Sequence, residues 1–134
     1  TVANGLSADR LRQQLDVIDE IRDRFSPMRI LTGIEVDILD DGSLDQDPEL
    51  LDRLDVVVAS VHSKLSMEPA AMTRRMVRAV SGGRANVLGH CTGRLVTGSR
   101  GTRPQSDFDA RAVFEACAEH ETAVEINSRP ERCD

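Results

Sequence analysis

The sequence predicts an α/β domain built on a parallel sheet, and three observations carry that expectation. Short apolar runs rich in β-branched residues alternate with stretches of helical periodicity along the whole chain. One of them, Val56-Val57-Val58-Ala59-Ser60-Val61-His62-Ser63, closes on a polar His-Ser pair, as expected of a strand covered by helices on both faces. The same grammar recurs in Ile30-Leu31-Thr32-Gly33-Ile34-Glu35 and in Ala85-Asn86-Val87-Leu88-Gly89-His90. In parallel sheets the carboxyl ends of the strands carry the chemistry. Glu35, His62 and His90, each closing an expected strand, are therefore expected to converge on one rim.

The elements follow in order. Residues 7–25 read as an amphipathic helix capped by Ser7, with Leu11, Leu15, Ile18 and Phe25 on its apolar face and Pro27 ending it. A strand is expected over 30–38, then a turn at Asp40-Asp41-Gly42-Ser43. Asp47-Pro48 opens a short helix through Leu54. The strand 56–61 follows. Residues 69–80 form a helix with the stripe Ala71, Met72, Met76, Val77 and Val80, and Ser81-Gly82-Gly83 ends it before a strand at 85–89. Residues 92–106, rich in Gly, Thr, Ser and Arg, read as a long exposed loop. Ser106 caps a helix over 107–120, and the last strand spans 123–126. A closed (β/α) barrel needs about 200 residues or more; four strands in 134 residues make roughly half of one.

Composition narrows the function classes. The hydrophobic share of 40% and charged share of 30% are those of an ordinary globular chain. No apolar run is long enough to span a membrane, and nothing resembles a signal peptide. Three scattered cysteines point to reduced thiols and a cytoplasmic setting. Residues 35–55 hold nine carboxylates against Arg53 alone, whereas residues 69–106 hold seven arginines and no acid. A basic stretch of that length can attract phosphate or nucleic acid; the plainer reading is two solvated faces that neutralise each other. With no Trp or Tyr, stacking platforms for single-stranded bases are nearly absent.

Imidazole and carboxylate are the usual ligands of zinc, manganese and iron, so Glu35, His62 and His90 form a candidate metal set. Lys64, the single lysine, follows His62; Arg94 follows His90 in Cys91-Thr92-Gly93-Arg94; Asn127 and Arg129 end the last expected strand. A metal ringed by such cations suits phosphate chemistry. Asp37 shares the face of Glu35 by strand alternation but reads as solvated. His120 reads as a helix-end residue, Cys117 as core, and Gly98-Ser99-Arg100-Gly101-Thr102 lacks the Lys-Ser/Thr of a phosphate loop.

Gly33-Ile34-Glu35-Val36-Asp37, Ala59-Ser60-Val61-His62, Leu88-Gly89-His90-Cys91-Thr92-Gly93-Arg94 and Val124-Glu125-Ile126-Asn127 resemble, in order, motifs of the PHP (polymerase and histidinol phosphatase) superfamily. The likeness covers essentially the whole chain and is greatest to the PHP domain of bacterial family X DNA polymerases. It implies a segment of a distorted (β/α)7 TIM-like barrel with parallel strands, carrying up to three divalent ions (Zn, Mn or Fe) in a complete domain. By the resemblance, Glu35 bridges two metals, His62 and His90 complete the ligands of the second, and Asn127 orients the site. Arg94, Arg129 and Lys64 are the candidate phosphate-binding cations. The family's early His-x-His and Asp-His motifs would precede Thr1 and its late Asp-x-His would follow Asp134, so residues 1–134 are expected to be a partial domain. Cys91 stands where the motif usually has proline, either as a passive substitution or as a soft ligand.

Two functions are expected from these readings. One is metal-dependent phosphoester hydrolysis, of a phosphatase or 3′–5′ exonuclease type. It would act on a phosphorylated small molecule or a DNA end, with a polymerase or helix-hairpin-helix domain elsewhere in the parent protein. The other is a non-catalytic nucleic-acid-binding or structural module that keeps the barrel without the metals.

Overall fold

The computed structural model of the protein describes residues 5–134; the first four residues of the expected 1–134 span lie outside it. The elements are α1 (Ala8–Ile21), β1 (Gly33–Asp37), α2 (Pro48–Leu51), β2 (Val56–Ser60), α3 (Pro69–Ser81), β3 (Val87–Leu88), α4 (Ala110–Glu119) and β4 (Ala123–Val124), with a 3₁₀ turn at Arg22–Phe25. The strands form one sheet in the order β1-β2-β3-β4, every pair parallel. Each crossover except β1 to β2 carries a helix of ten or more residues, as parallel pairing requires. An α/β segment with parallel strands is what the sequence predicted.

The helices cover one face of this sheet. Val36 and Ile38 of the first strand segment, Val57, Ala59 and Val61 of the second, and Leu88 of β3 are buried against Met72, Met76, Ala79 and Val80 of α3 and Val113 and Cys117 of α4. Leu11 and Leu15 of α1 form a satellite cluster with Leu50. The opposite face carries Glu35, Val58 and Val87 and floors an open cleft. The expected cover on both faces of the 56–61 run is thus corrected. Strand alternation gives its odd residues to the helix layer and leaves Val58 to the cleft, as on the inner side of a barrel wall.

Several boundaries differ for physical reasons. The first helix turns 3₁₀ after Ile21, and Phe25 and Val17 are exposed, so the apolar face narrows to Leu11 and Leu15. β1 begins at Gly33, three residues later than expected, because Leu31 is solvent-facing and Asp55 takes up the Thr32 N–H and hydroxyl at 2.8 and 3.0 Å. α2 stops at Leu51. The last two strands shrink to two residues each, and Ile126 is exposed. Asp109, not Ser106, caps α4, accepting from the Ala112 N–H at 3.0 Å; Ser106 is buried and donates its N–H to the Thr92 carbonyl at 2.7 Å. The 92–106 loop is only partly exposed. Leu95 is buried and bridged to Arg103 in antiparallel fashion, which leaves 96–102 as the solvent-facing tip.

The opposed charge blocks meet across the fold. Arg84 pairs with Asp52 through two hydrogen bonds at 2.7 and 3.2 Å, Arg78 faces Asp41 at 3.7 Å, and Arg75 faces Asp40 at 3.8 Å. Arg103 donates to the Gly93 carbonyl. The basic stretch is therefore largely spent on internal partners. Arg75 is not on the surface at all: it is 1% exposed and donates to the carbonyls of Ile38, Leu39 and Ser63. No described helix is long and apolar enough to cross a membrane.

Candidate metal centre

Strand register brings the site together. Glu35 pairs with Val58, and Asp37 with Ser60, so both carboxylates rise from β1 on the cleft face, two residues apart. His62 stands two residues beyond the end of β2, and His90 two residues beyond the end of β3. Glu35 does not close its strand, as expected, but sits in the middle of it; Asp37 closes it. One rim nonetheless collects all of them. Among the described residues, Glu35, His62 and His90 form a group whose ligand atoms all lie within 4.8 Å of one another. Glu35 Oε1 is 3.3 Å from His62 Nε2 and 3.6 Å from His90 Nε2, and the two Nε2 atoms are 3.1 Å apart.

The other ring nitrogens face carboxylates. His62 Nδ1 is bonded to Asp37 Oδ1. His90 Nδ1 lies 3.1 Å from Glu125 Oε2, which also accepts the His90 backbone N–H at 2.6 Å. An ionised carboxylate only accepts, so in both neutral rings the proton belongs on Nδ1 and the lone pair on Nε2. Two bare Nε2 atoms and a Glu35 oxygen then converge with no proton between them. Three acceptors in such contact repel one another unless a cation lies among them. A divalent ion held by nitrogen and oxygen donors fits this set, and carboxylates behind the imidazoles are the usual second layer of such sites.

The supporting groups are built with care for space. His90 has φ of +22°, a strained conformation for a residue with a side chain, and its N–H is fixed by Glu125. Gly89 lets Glu125 reach across. A Cβ there would collide with Ser60 Oγ and come to 3.0 Å from Val58 Cγ1 and 3.3 Å from Glu125 Oε2. Asn127 Nδ2 donates to Glu125 Oε1 at 3.0 Å. Burial would raise the Glu125 carboxyl, but the His90 N–H, the His90 ring and Asn127 together hold it below the ordinary range.

A cleft of about 540 Å³ opens over this rim, lined by Glu35, Val58, Val87, His90, Glu125, Asn127, Arg129 and Arg132. Of the expected phosphate-binding cations, Arg129 lies on it. Arg94 and Lys64 do not line it: Arg94 Nε donates to the Arg132 carbonyl at 3.0 Å, and Lys64 is ion-paired with Asp40. Cys91 belongs to the apolar core and is absent from the metal-ligand group. Burial, then the Asp134 charge, push its thiol up to about 11, which suits a passive residue rather than a soft ligand.

Three residues of the site escaped the sequence reading. Asp37 is buried and bonded rather than solvated; Glu125 stands in the fourth motif with no role expected of it, and Arg132 is not among the expected site residues. The period-2 alternation that groups Glu35 with Asp37 also groups Glu125 with Asn127, and that was the available signal.

No protein-family model matches the chain. Over 133 residues, 99% of this chain, it is 38% identical to the DNA polymerase/3'-5' exonuclease PolX of Bacillus subtilis (strain 168). The chain's similarity is to proteins of the PHP superfamily. Two further PHP relatives are a probable phosphatase of Vibrio atlanticus (strain LGP32), 32% identical over 102 residues, and the probable phosphatase YcdX of Escherichia coli O1:K1, 30% identical over 102 residues. Each of these two alignments covers 74% of the chain. The chain spans 23% of the length of the PolX relative and 37% and 38% of the two phosphatases. In this chain the four motifs quoted above fall on β1, on the ends of β2 and β3, and on Val124 of β4 with the three residues that follow it.

Proposed function

We propose that this chain forms the central strands and helices of a PHP domain and holds part of a divalent-metal centre for phosphoester hydrolysis. The observation that carries this reading is the convergence of two Nε2 lone pairs and a Glu35 oxygen, each ring fixed from behind by a carboxylate. Names of the relatives, an exonuclease in one case and probable phosphatases in others, support the same chemical class.

When bound, a divalent ion would polarise a phosphoryl oxygen and bring a water nucleophile within reach of neutral pH. His62 and His90 would hold it through Nε2, and Glu35 through a carboxylate oxygen. Asp37 and Glu125 keep the Nδ1 protons in place, so that each ring presents its lone pair forward. Arg129 at the cleft edge balances charge on the ester. Stacking on bases draws little support, since the chain holds no Trp or Tyr and none of its three Phe lines the cleft, and recognition falls on the phosphate. The non-catalytic nucleic-acid module draws less support, because most of the basic stretch is bonded internally.

The test is hydrolysis by the protein after loading with Zn²⁺ or Mn²⁺, using p-nitrophenyl phosphate and a short 3′-labelled oligodeoxynucleotide in parallel. Turnover of either that EDTA abolishes and added metal restores is the expected result. Metal-loaded protein that hydrolyses neither would overturn the assignment.

A further inference from the structure

We infer that Arg132 is a phosphate-recognition residue of the cleft, an inference that rests on the phosphoesterase reading above. Arg132 lines the same cleft as Glu35 and His90. Its Nη1 atom is buried and has no hydrogen-bond partner among the described residues. Leaving a buried guanidinium N–H unmatched costs free energy, and the other large-scale pattern in this chain is the opposite one, with Arg12, Arg53, Arg75, Arg84 and Arg103 all bonded to carboxylates or carbonyls.

The backbone of Arg132, by contrast, is held on both sides. Its N–H donates to the Arg129 carbonyl at 2.9 Å, and its carbonyl accepts Arg94 Nε at 3.0 Å. The segment is closed by paired bonds between Asn127 and Asp134, both at 3.0 Å. The main chain is thus pinned beside the metal-ligand rim while Nη1 of the guanidinium is left without an acceptor, the arrangement of a preorganised donor. Arg94, expected from the sequence to bind phosphate itself, instead fixes the backbone of the arginine that does.

Charge points to an anion as the missing acceptor. Glu35 and Glu125 are the carboxylates on the cleft lining, and Arg129 and Arg132 are its cations. Both carboxylates are committed to the histidine cluster. Once a divalent ion joins them, the lining carries net positive charge. A planar fork of N–H donors matches two non-bridging phosphate oxygens, and no Phe, Trp or Tyr lines the cleft to stack on the rest of the substrate.

The experiment is calorimetric titration of inorganic phosphate into the zinc-loaded protein, for wild type, Arg132→Gln and Arg132→Lys. Hydrogen bonds to a charged partner predict a loss of about 10- to 100-fold in phosphate affinity for Arg132→Gln, with Arg132→Lys in between because it keeps the charge but not the fork. Zinc affinity and the thermal midpoint should not fall, since the backbone bonds of residue 132 survive both changes. Steady-state KM for p-nitrophenyl phosphate and for the oligonucleotide then identifies the source: a rise for either one, at little-changed kcat, supports the inference and says which ester the site serves. Wild-type phosphate affinity in Arg132→Gln would overturn it. So would a wild type that binds zinc but not phosphate, which leaves the metal reading intact, whereas failure to bind zinc overturns that reading first.

Discussion

Replacing His62 with alanine is expected to remove divalent-metal binding and, with it, any phosphoester hydrolysis. His62 sits at the centre of the cluster: its Nε2 faces Glu35 at 3.3 Å and His90 Nε2 at 3.1 Å, and its Nδ1 is bonded to Asp37. Loss of a partner behind a ligand typically weakens metal binding by about 10- to 100-fold; loss of the ligand itself should cost at least about 100-fold. The side chain is half-buried at a strand end and outside the apolar core, so the thermal midpoint of the metal-free variant should stay near that of metal-free wild type. Equilibrium dialysis against Zn²⁺ checks the affinity, and a thermal melt checks the fold. Wild-type zinc affinity in His62→Ala would mean that the cluster is not where the ion goes.

The second large effect concerns stability. Arg75→Met should destabilise the protein by about 2–5 kcal/mol, because buried carbonyls lose a charged donor at about 1–3 kcal/mol each. Arg75 bridges three carbonyls, of Ile38, Leu39 and Ser63, and also reaches Ser63 Oγ at 3.2 Å. These groups come from the segments leaving β1 and β2, just past Asp37 and His62. Methionine fills much the same volume and takes the donor from the Ile38 and Ser63 carbonyls, while the Leu39 carbonyl keeps the Gly42 N–H at 2.8 Å. Burial lowers the Arg75 pKa while Asp40 and Asp37 raise it, and the guanidinium remains charged at any pH the protein meets. Urea unfolding measures the loss; a change under about 1 kcal/mol would show that other donors replace it.

Which parts of this were legible in the sequence follows from locality. The strand at 56–61 was readable almost to the residue, because its burial comes from a run of neighbours along one segment. Glu35, His62 and His90 were readable as polar residues at or near strand ends. Asp37 and Glu125 were not, since their work depends on which strand lies beside which: Asp37 serves a histidine 25 positions away, and Glu125 one 35 positions away. Arg75 was hidden in a basic stretch, although its place three residues after Met72 and next to Met76 put it in the apolar stripe of α3. A charged residue on that stripe is a sign of a buried partner. Leu31 misled in the other direction. It extends an apolar run, yet it is exposed, so β1 begins later than the run does.

Carboxylates fix both imidazoles so that two Nε2 atoms and Glu35 are expected to meet at one cation. Long-range ¹H–¹⁵N spectra of the histidine rings, recorded during titration with Zn²⁺, test it most directly. Nδ1 should stay protonated in His62 and His90 throughout, and both Nε2 signals should move together as zinc is added, with His120 unaffected. Zinc binding that leaves both Nε2 signals in place, or that binds the rings through Nδ1, would contradict it.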